Sequence, residues 1–445
     1  MARASRLLTV VSLFIVSGGF LSRGIALAGQ GVGEAGPEVW ISGPSTFDVS
    51  GADDFPDVGV DESRRRIYVW TVHDPTADIA LRRFDAAGNA LEDPRRINTT
   101  TALTQDRPRI AVAADGSFLV IWQSSEDDAG SNRRWVRSRA FKPNGQANGG
   151  EQLVSNPSSG TAALIDIDVA ALRAPDGSNG GWVVVWESFN TSGNDNSSSN
   201  IQAQLVSAAG VPTGPPIQVN STIAGSQRKP TVTELANGDF FVVWVEPQVQ
   251  GRRFSAAGAS RGGQFQVSTL GQGIKDEPDV VIGWDGVVAV VWKNGGEIQA
   301  RLFDSDLNPQ GSDFQVNTLT TNIQEEPRLG DAGPAGFLVT WSSINASVGS
   351  DTNYSLQARV ISGPNTFAGP QIQWNIWEPN NQYGPVANGW YGHVGTAWES
   401  VGSDQNDSPP FSDHILGRDL DTCIFCDDQE WGSLWRWAAA LGESP

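Results

Sequence analysis

Seven short apolar runs, each closed by a Trp, recur along the chain: Ile67–Trp70, Phe118–Trp122, Trp182–Trp186, Phe240–Trp244, Val287–Trp292, Phe337–Trp341 and Val394–Trp398. The closing Trp residues are about 55 residues apart, a period at which propeller blades and solenoid repeats fall. A Pro stands 14 residues ahead of the Trp at Pro56, Pro108, Pro230, Pro278 and Pro327, and 13 ahead at Pro385. The third repeat carries Val169 in that place, with a small insertion after it.

Each repeat predicts four strands. The first follows the Pro, as in Arg109–Ala113 and Asp279–Ile282. Asp115-Gly116, Asp176-Gly177, Asn237-Gly238, Asp285-Gly286 and Asn388-Gly389 then predict tight hairpin turns with both residues at positive φ. The second strand is the Trp run, whose continuous apolar character suits a strand covered on both faces. The third includes Ile79–Phe84, Val136–Phe141, Val249–Phe254, Ile298–Phe303 and Leu356–Val360, and the fourth Ile217–Asn220, Phe265–Ser268, Phe314–Asn317 and Ile372–Asn375. The last repeat holds three strands, and Phe47-Asp48-Val49-Ser50 stands unpartnered ahead of the first Pro. Closing a ring lets this N-terminal segment complete the seventh sheet and removes exposed edges. The expected fold is therefore all-β: a seven-bladed β-propeller of four-stranded blades, ring closed by an N-terminal strand. A linear solenoid is the alternative.

Residues 1–28 read as a signal peptide. Arg3 and Arg6 precede an apolar run from Leu7 to Leu21, and Ala26-Leu27-Ala28 offers a cleavage site. The propeller then occupies 29–420, and 421–445 form a Trp-rich C-terminal tail. No other apolar run reaches the length of a membrane span. The 445 residues carry 50 Asp and Glu against 30 Lys and Arg, a net charge of −20, which disfavours nucleic acid as a partner. The expected protein is a secreted, extracellular, periplasmic or cell-surface monomer. Only two Cys occur. Cys423 and Cys426 form a C-x-x-C with no following His, read as a local disulfide in an oxidising compartment.

Across Glu277–Asn317 the repeat resembles a family of bacterial secreted and cell-surface β-propeller-type repeats. The resemblance lies in Asp285-Gly286, the Trp292 run, Ile298-Gln299-Ala300-Arg301-Leu302-Phe303-Asp304 and Phe314-Gln315-Val316-Asn317-Thr318. It implies fold and compartment and brings no catalytic motif. The tail from Ile424-Phe425-Cys426-Asp427 through Glu430 and Gly432-Ser433 to Trp437 is similar to a short C-terminal segment of exported bacterial proteins. Asp428-Gln429 depart from its Gly-Phe, and Trp431 intervenes.

Three groups of residues are candidates for chemistry. The first lies ahead of the first strands: Asp54, Asp106, Asp168, Asp276, Glu277, Glu325 and Glu326, with Arg107, Arg228 and Lys229 among them. In a ring these converge on a channel mouth, where acids attract a cation or basic ligand, or form acid–base pairs with one carboxyl pKa raised. The second comprises the loops after the Trp strands, whose Asp127, Asp128, Asp195, Asp351 and Asp404 offer the oxygen ligands that suit Ca2+. The third is Trp outside the repeat frame: Trp284 in a turn, with Trp135, Trp374, Trp377 and Trp390. The seven closing Trp read as packing. There is no G-x-S-x-G or H-E-x-x-H motif. These features favour a non-enzymatic propeller that binds a protein or glycan partner at its loop face, Ca2+ ordering the loops. The alternatives are a carboxylate-based glycoside hydrolase or lyase, and a structural surface or matrix protein.

Overall fold

The computed structural model describes residues 25–26, 34–35, 38–43, 52–73, 76–125, 134–155, 164–189, 198–269, 271, 273–344, 354–375, 381–390, 392–401 and 413–421. They form seven antiparallel sheets arranged as the blades of a β-propeller. The innermost strands, in blade order, are Asp53–Val60, Gln105–Val112, Leu164–Arg173, Arg228–Glu234, Lys275–Ile282, Ile323–Asp331 and Gln382–Trp390. Each packs against the next, and the last against the first, so the ring is closed.

Each Trp-closed run forms the second strand of its blade. Between every two neighbouring blades lies one apolar cluster, and each cluster holds a closing Trp. Trp122 of blade 2 packs with Ile67, Val69 and Leu81 of blade 1, and Trp70 of blade 1 packs with Val386 and Ala397 of blade 7. All seven closing Trp are at most 3% exposed. They are packing residues, because a blade face is too flat to bury itself and needs a large side chain to fill the wedge between radiating sheets.

Two side-chain devices repeat around the ring. Near the start of each third strand one N–H is held by an Asn or Ser at the end of the fourth strand: Asn98, Ser155, Asn220, Ser268, Asn317, Asn375 and, in blade 7, Ser42. Six third-strand Arg then reach back to a carbonyl of the preceding blade's outer segment. Arg82 donates to Ile41 O, Arg139 to Ile97 O, Arg252 to Val219 O, Arg301 to Val267 O, Arg359 to Val316 O and Arg418 to Trp374 O, at 2.5–3.0 Å. Each guanidinium also lies over an aromatic ring, as Arg301 does over Phe303 at 5.3 Å and Arg82 over Phe84 at 5.2 Å.

These devices identify the closing strand. Val39–Trp40 pairs with Asp413–Asp421, Ile41 N–H donates to Ile415 O, and Ser42 supplies the hydroxyl. The ring is closed from the N-terminal side, but eight residues earlier than the Phe47–Ser50 segment, which lies outside the described residues. Spacing explains the choice. Asn98, Asn220, Ser268, Asn317 and Asn375 each precede their Pro by ten residues, whereas Ser50 precedes Pro56 by six, too few to cross to the next innermost strand.

Three local expectations are corrected. In the Asp-Gly and Asn-Gly turns only the Gly has positive φ, as at Gly116 (77°) and Gly286 (81°). The turn spans four residues, with Gly116 N–H donating to Ala113 O, so the preceding residue keeps an ordinary conformation. Asn388-Gly389 is not a turn: it lies inside an innermost strand, and a Cβ at Gly389 would sit 2.3 Å from Asp331 O of blade 6. In the third repeat the Pro place belongs to Ile167, since Asp168 pairs with Val185 as Arg109 pairs with Ile121.

The closing Trp also probe hydrogen-bond satisfaction. Trp122 Nε1–H donates to buried Gln105 Oε1 at 2.9 Å, and Trp341 and Trp398 find Gln324 and Gln382 in the same way. Blade 5 carries Lys275 at this place, which has no acceptor, and Trp292 Nε1–H is buried without a partner. Trp122→Phe should therefore lower unfolding free energy by ~1–3 kcal/mol more than Trp292→Phe, since only the former orphans a buried acceptor. Urea denaturation of both variants measures this, and equal losses would contradict it.

Candidate functional site

The channel along the ring axis is the candidate site. Its chemistry follows from an irregularity in every innermost strand. Just ahead of the Pro the register slips by one residue in all seven blades. The residue there has positive φ: Phe55, Arg107, Asp166, Lys229, Glu277, Glu326 and Gly384, between 47° and 64°. For the six that are not Gly this conformation costs ~1–2 kcal/mol each. The backbone is held there from the preceding blade. Phe55 N–H donates to Glu399, Arg107 N–H to Thr71, Lys229 N–H to Glu187, Glu326 N–H to Glu277 and Gly384 N–H to Glu326, at 2.7–3.3 Å.

The bulge sorts the polar residues into two levels. At one mouth stand the two residues ahead of the Pro, where most of the sequence-selected acids are found with basic partners. Asp276 faces Arg228 at 3.1 Å and Lys229 at 3.6 Å, and Lys229 also reaches Glu277 at 3.4 Å. Glu325 bonds Lys293 at 2.7 Å, Asp106 bonds Arg134, and Asp54 Oδ2 lies 3.0 Å from His73 Nε2. Arg107 lies over the Phe55 ring at 3.9 Å. Burial raises the Asp54 carboxyl against the opposing effect of His73. Burial, with Asp166 adding to it, pushes Glu187 up to about 7.

The second level is the waist. The residue after the Pro place points into the channel, giving in blade order Asp57, Arg109, Asp168, Thr231, Asp279, Arg328 and Val386. Asp168 is thus one level deeper than Asp54 or Asp276. Three waist carboxylates stitch their blade to the next: Asp57 Oδ2 accepts from Ile110 N–H, Asp168 Oδ2 from Val232 N–H and Asp279 Oδ2 from Leu329 N–H, each at 2.8 Å. Thr231 Oγ1 lies 3.0 Å from Asp168 Oδ2 and 3.3 Å from Asp279 Oδ1. Burial pushes Asp57 and Asp279 up to about 6, against the lowering effects of Arg109 and Arg328 respectively, and raises Asp168 as well.

The waist and the channel on its Trp284 side form one cavity of about 1180 Å³, lined also by Arg173, Glu234, Trp284 and Trp390. Trp284 occupies the turn after Lys275–Ile282 and is 50% exposed. It stands at the opposite end of that strand from Asp276, while Asp168 and Glu277 line the same cavity as Trp284. Arg173 lies 5.9 Å over the Trp390 ring, and Trp374 is fully buried. Asp127, Asp128, Asp195, Asp351, Asp404, Trp377, Cys423 and Cys426 lie outside the described residues. Among the described residues no group of three or more His, Cys, Asp or Glu has a metal-holding arrangement. No described helix is long and apolar enough to cross a membrane. Sequence reading passed over Asp57, Asp279 and Arg328 as site residues. The signal was the variable position directly after the repeat Pro.

No protein family matches the chain, and no curated protein does. Among solved structures, a Dyadobacter fermentans protein of unknown function is similar at 12% identity, covering 86% of this chain and 97% of that one with a TM-score of 0.48. A Penicillium chrysogenum α-L-arabinanase complexed with arabinobiose is 16% identical, covering 73% and 98% with a TM-score of 0.47. The NanB sialidase of Streptococcus pneumoniae is 10% identical, covering 86% and 70% with a TM-score of 0.46. Likenesses at this level carry no argument about chemistry.

The waist carboxyls give the protein a pH signature. Between about pH 4 and pH 6 an unfolded Asp has lost its proton while Asp57 and Asp279 keep theirs, so folding takes up protons and stability falls as pH rises through this window. Asp279→Asn removes the Asp279 share of that dependence and keeps an acceptor for Leu329 N–H. Its stability relative to the unaltered protein should rise between pH 4 and pH 7, by ~1–3 kcal/mol. A difference that stays flat across this range would refute the raised carboxyl.

Proposed function

We propose that this protein is an exported propeller that binds a glycan at the Trp284 mouth of its channel and catalyses no reaction. The observation carrying this reading is Trp284, a half-exposed indole beside a large cavity. An exposed Trp presents a flat apolar face with a polar edge, suited to the alternating faces of a sugar ring, and such anchors dominate binding energy. Binding is favoured over catalysis because the acids at the opposite mouth face basic groups and the waist carboxylates hold backbone N–H groups of the next blade. Export rests on the basic start, the apolar run and Ala26-Leu27-Ala28. Ca2+ belongs to the same proposal, as the ion ordering the loops that carry Asp127, Asp128, Asp195, Asp351 and Asp404.

One observation favours a glycoside hydrolase as the second reading. Asp57 and Asp279, pushed up to about 6, lie in the range where a carboxylic acid donates protons near neutral pH.

A glycan array followed by calorimetric titration of the best hit separates these readings. Trp284→Ala should weaken binding at least ~10-fold, while Glu325→Gln at the far mouth leaves it unchanged. Binding by neither protein nor variant, with capture of a protein ligand instead, would overturn the glycan reading. Turnover of the bound glycan, lost in Asp57→Asn, would establish the hydrolase. Separately, the thermal midpoint of the mature protein should rise when Ca2+ replaces EDTA, and an unchanged midpoint would end the calcium proposal.

A further inference from the structure

The waist holds unspent hydrogen-bonding capacity of both kinds. Arg109 and Arg328 each make one hydrogen bond among the described residues, from Nη1 to the carbonyl of the Pro before them, at 3.0 and 2.9 Å. Neither has a carboxylate within ion-pair distance there. A guanidinium carries five N–H donors in a planar fork, so most remain available to the channel. The neighbouring carboxylates each offer about four acceptor positions, of which the bonds to Ile110, Val232, Thr231, Val280 and Leu329 take only some.

Their order around the ring matters more than their number. Asp57, Arg109 and Asp168 come from consecutive blades and set a donor fork between two acceptors, and Asp279 beside Arg328 repeats half of that pattern. A hydroxyl both donates and accepts, and two on adjacent carbons bridge neighbouring groups of this kind. Three carboxylates against two guanidiniums leave an excess of negative charge, which repels a carboxylate or sulfate brought into the same confined space. The cavity is large enough for a sugar unit.

We infer that the waist recognises a neutral sugar unit through vicinal hydroxyls laid across Asp57, Arg109 and Asp168, with Asp279 and Arg328 continuing the same ring of side chains, and rejects uronic and sialic acids. This rests on the Trp284 mouth being a glycan site and adds to it the level below, where the ligand's end is read.

The test is calorimetric titration with neutral oligosaccharides and with uronate-containing or sialylated counterparts of equal length. The proteins are the unaltered chain, Trp284→Ala, Arg109→Gln and Arg328→Gln, each checked for an intact thermal transition. Neutral sugars should bind the unaltered chain, and each Arg variant should weaken them ~10-fold or more, the effect of losing hydrogen bonds from a charged donor. Acidic counterparts should not bind. Should one Arg variant fail to fold, the other carries the test. Weakening by Trp284→Ala alone would overturn the waist inference and leave the mouth reading standing. Tighter binding of the acidic sugars would also overturn it. Absence of binding by every sugar would overturn both.

Discussion

Closure of the ring depends on one interaction repeated around it, the hydrogen bond from a third-strand Arg to a carbonyl of the preceding blade's outer segment. Apolar packing between blades is non-directional and would tolerate some sliding of one sheet over another. A planar donor directed at a particular carbonyl does not. It fixes the height of six of the seven blades against the one before, and the aromatic ring beneath the guanidinium keeps the long side chain extended. Arg82 bonded to Ile41 carries the same rule across the junction between the chain's two ends. The waist exists because that register holds: a blade displaced by one residue would take Asp57 or Asp279 out of the channel.

The same register explains how strain is tolerated at the mouth. Six residues that are not Gly adopt a left-handed backbone within their innermost strands. Local sequence preference does not produce this conformation, least of all ahead of Pro. Blade-to-blade hydrogen bonds such as Glu399 to Phe55 and Glu277 to Glu326 supply the restraint. The bulge in turn rotates the residue after the Pro place into the channel, so a backbone irregularity creates the polar waist.

Most of the fold was legible in the sequence because it is written seven times. Trp spacing, the preceding Pro and the apolar second strands specify seven blades, and closure follows from counting strands at the two ends. The closing segment was mistaken because Phe47-Asp48-Val49-Ser50 copies the composition of a fourth strand, while Ser42 copies its function through a single hydroxyl. The site was less legible. Repeat-reading rewards positions that stay the same, and the waist is the position that changes from blade to blade: Asp, Arg, Asp, Thr, Asp, Arg, Val. The acids ahead of the Pro drew attention as a charge cluster, yet such clusters on a rim often meet their counter-ions. Trp284 was read correctly as lying in a turn, and the length of the strand between them sets it apart from Asp276.

Seven is an odd number, and strict alternation of two kinds of group around an odd ring is impossible. The waist breaks its alternation at Thr231 and again at Val386, where an apolar side chain follows Arg328 and precedes Asp57. The channel therefore has no rotational equivalence left: one sector is dry, and the rest is polar in a fixed order. An even-bladed relative with perfect alternation would present several identical orientations to an incoming molecule. Here parity alone leaves a single one, so the wall carries a compass bearing as well as a composition.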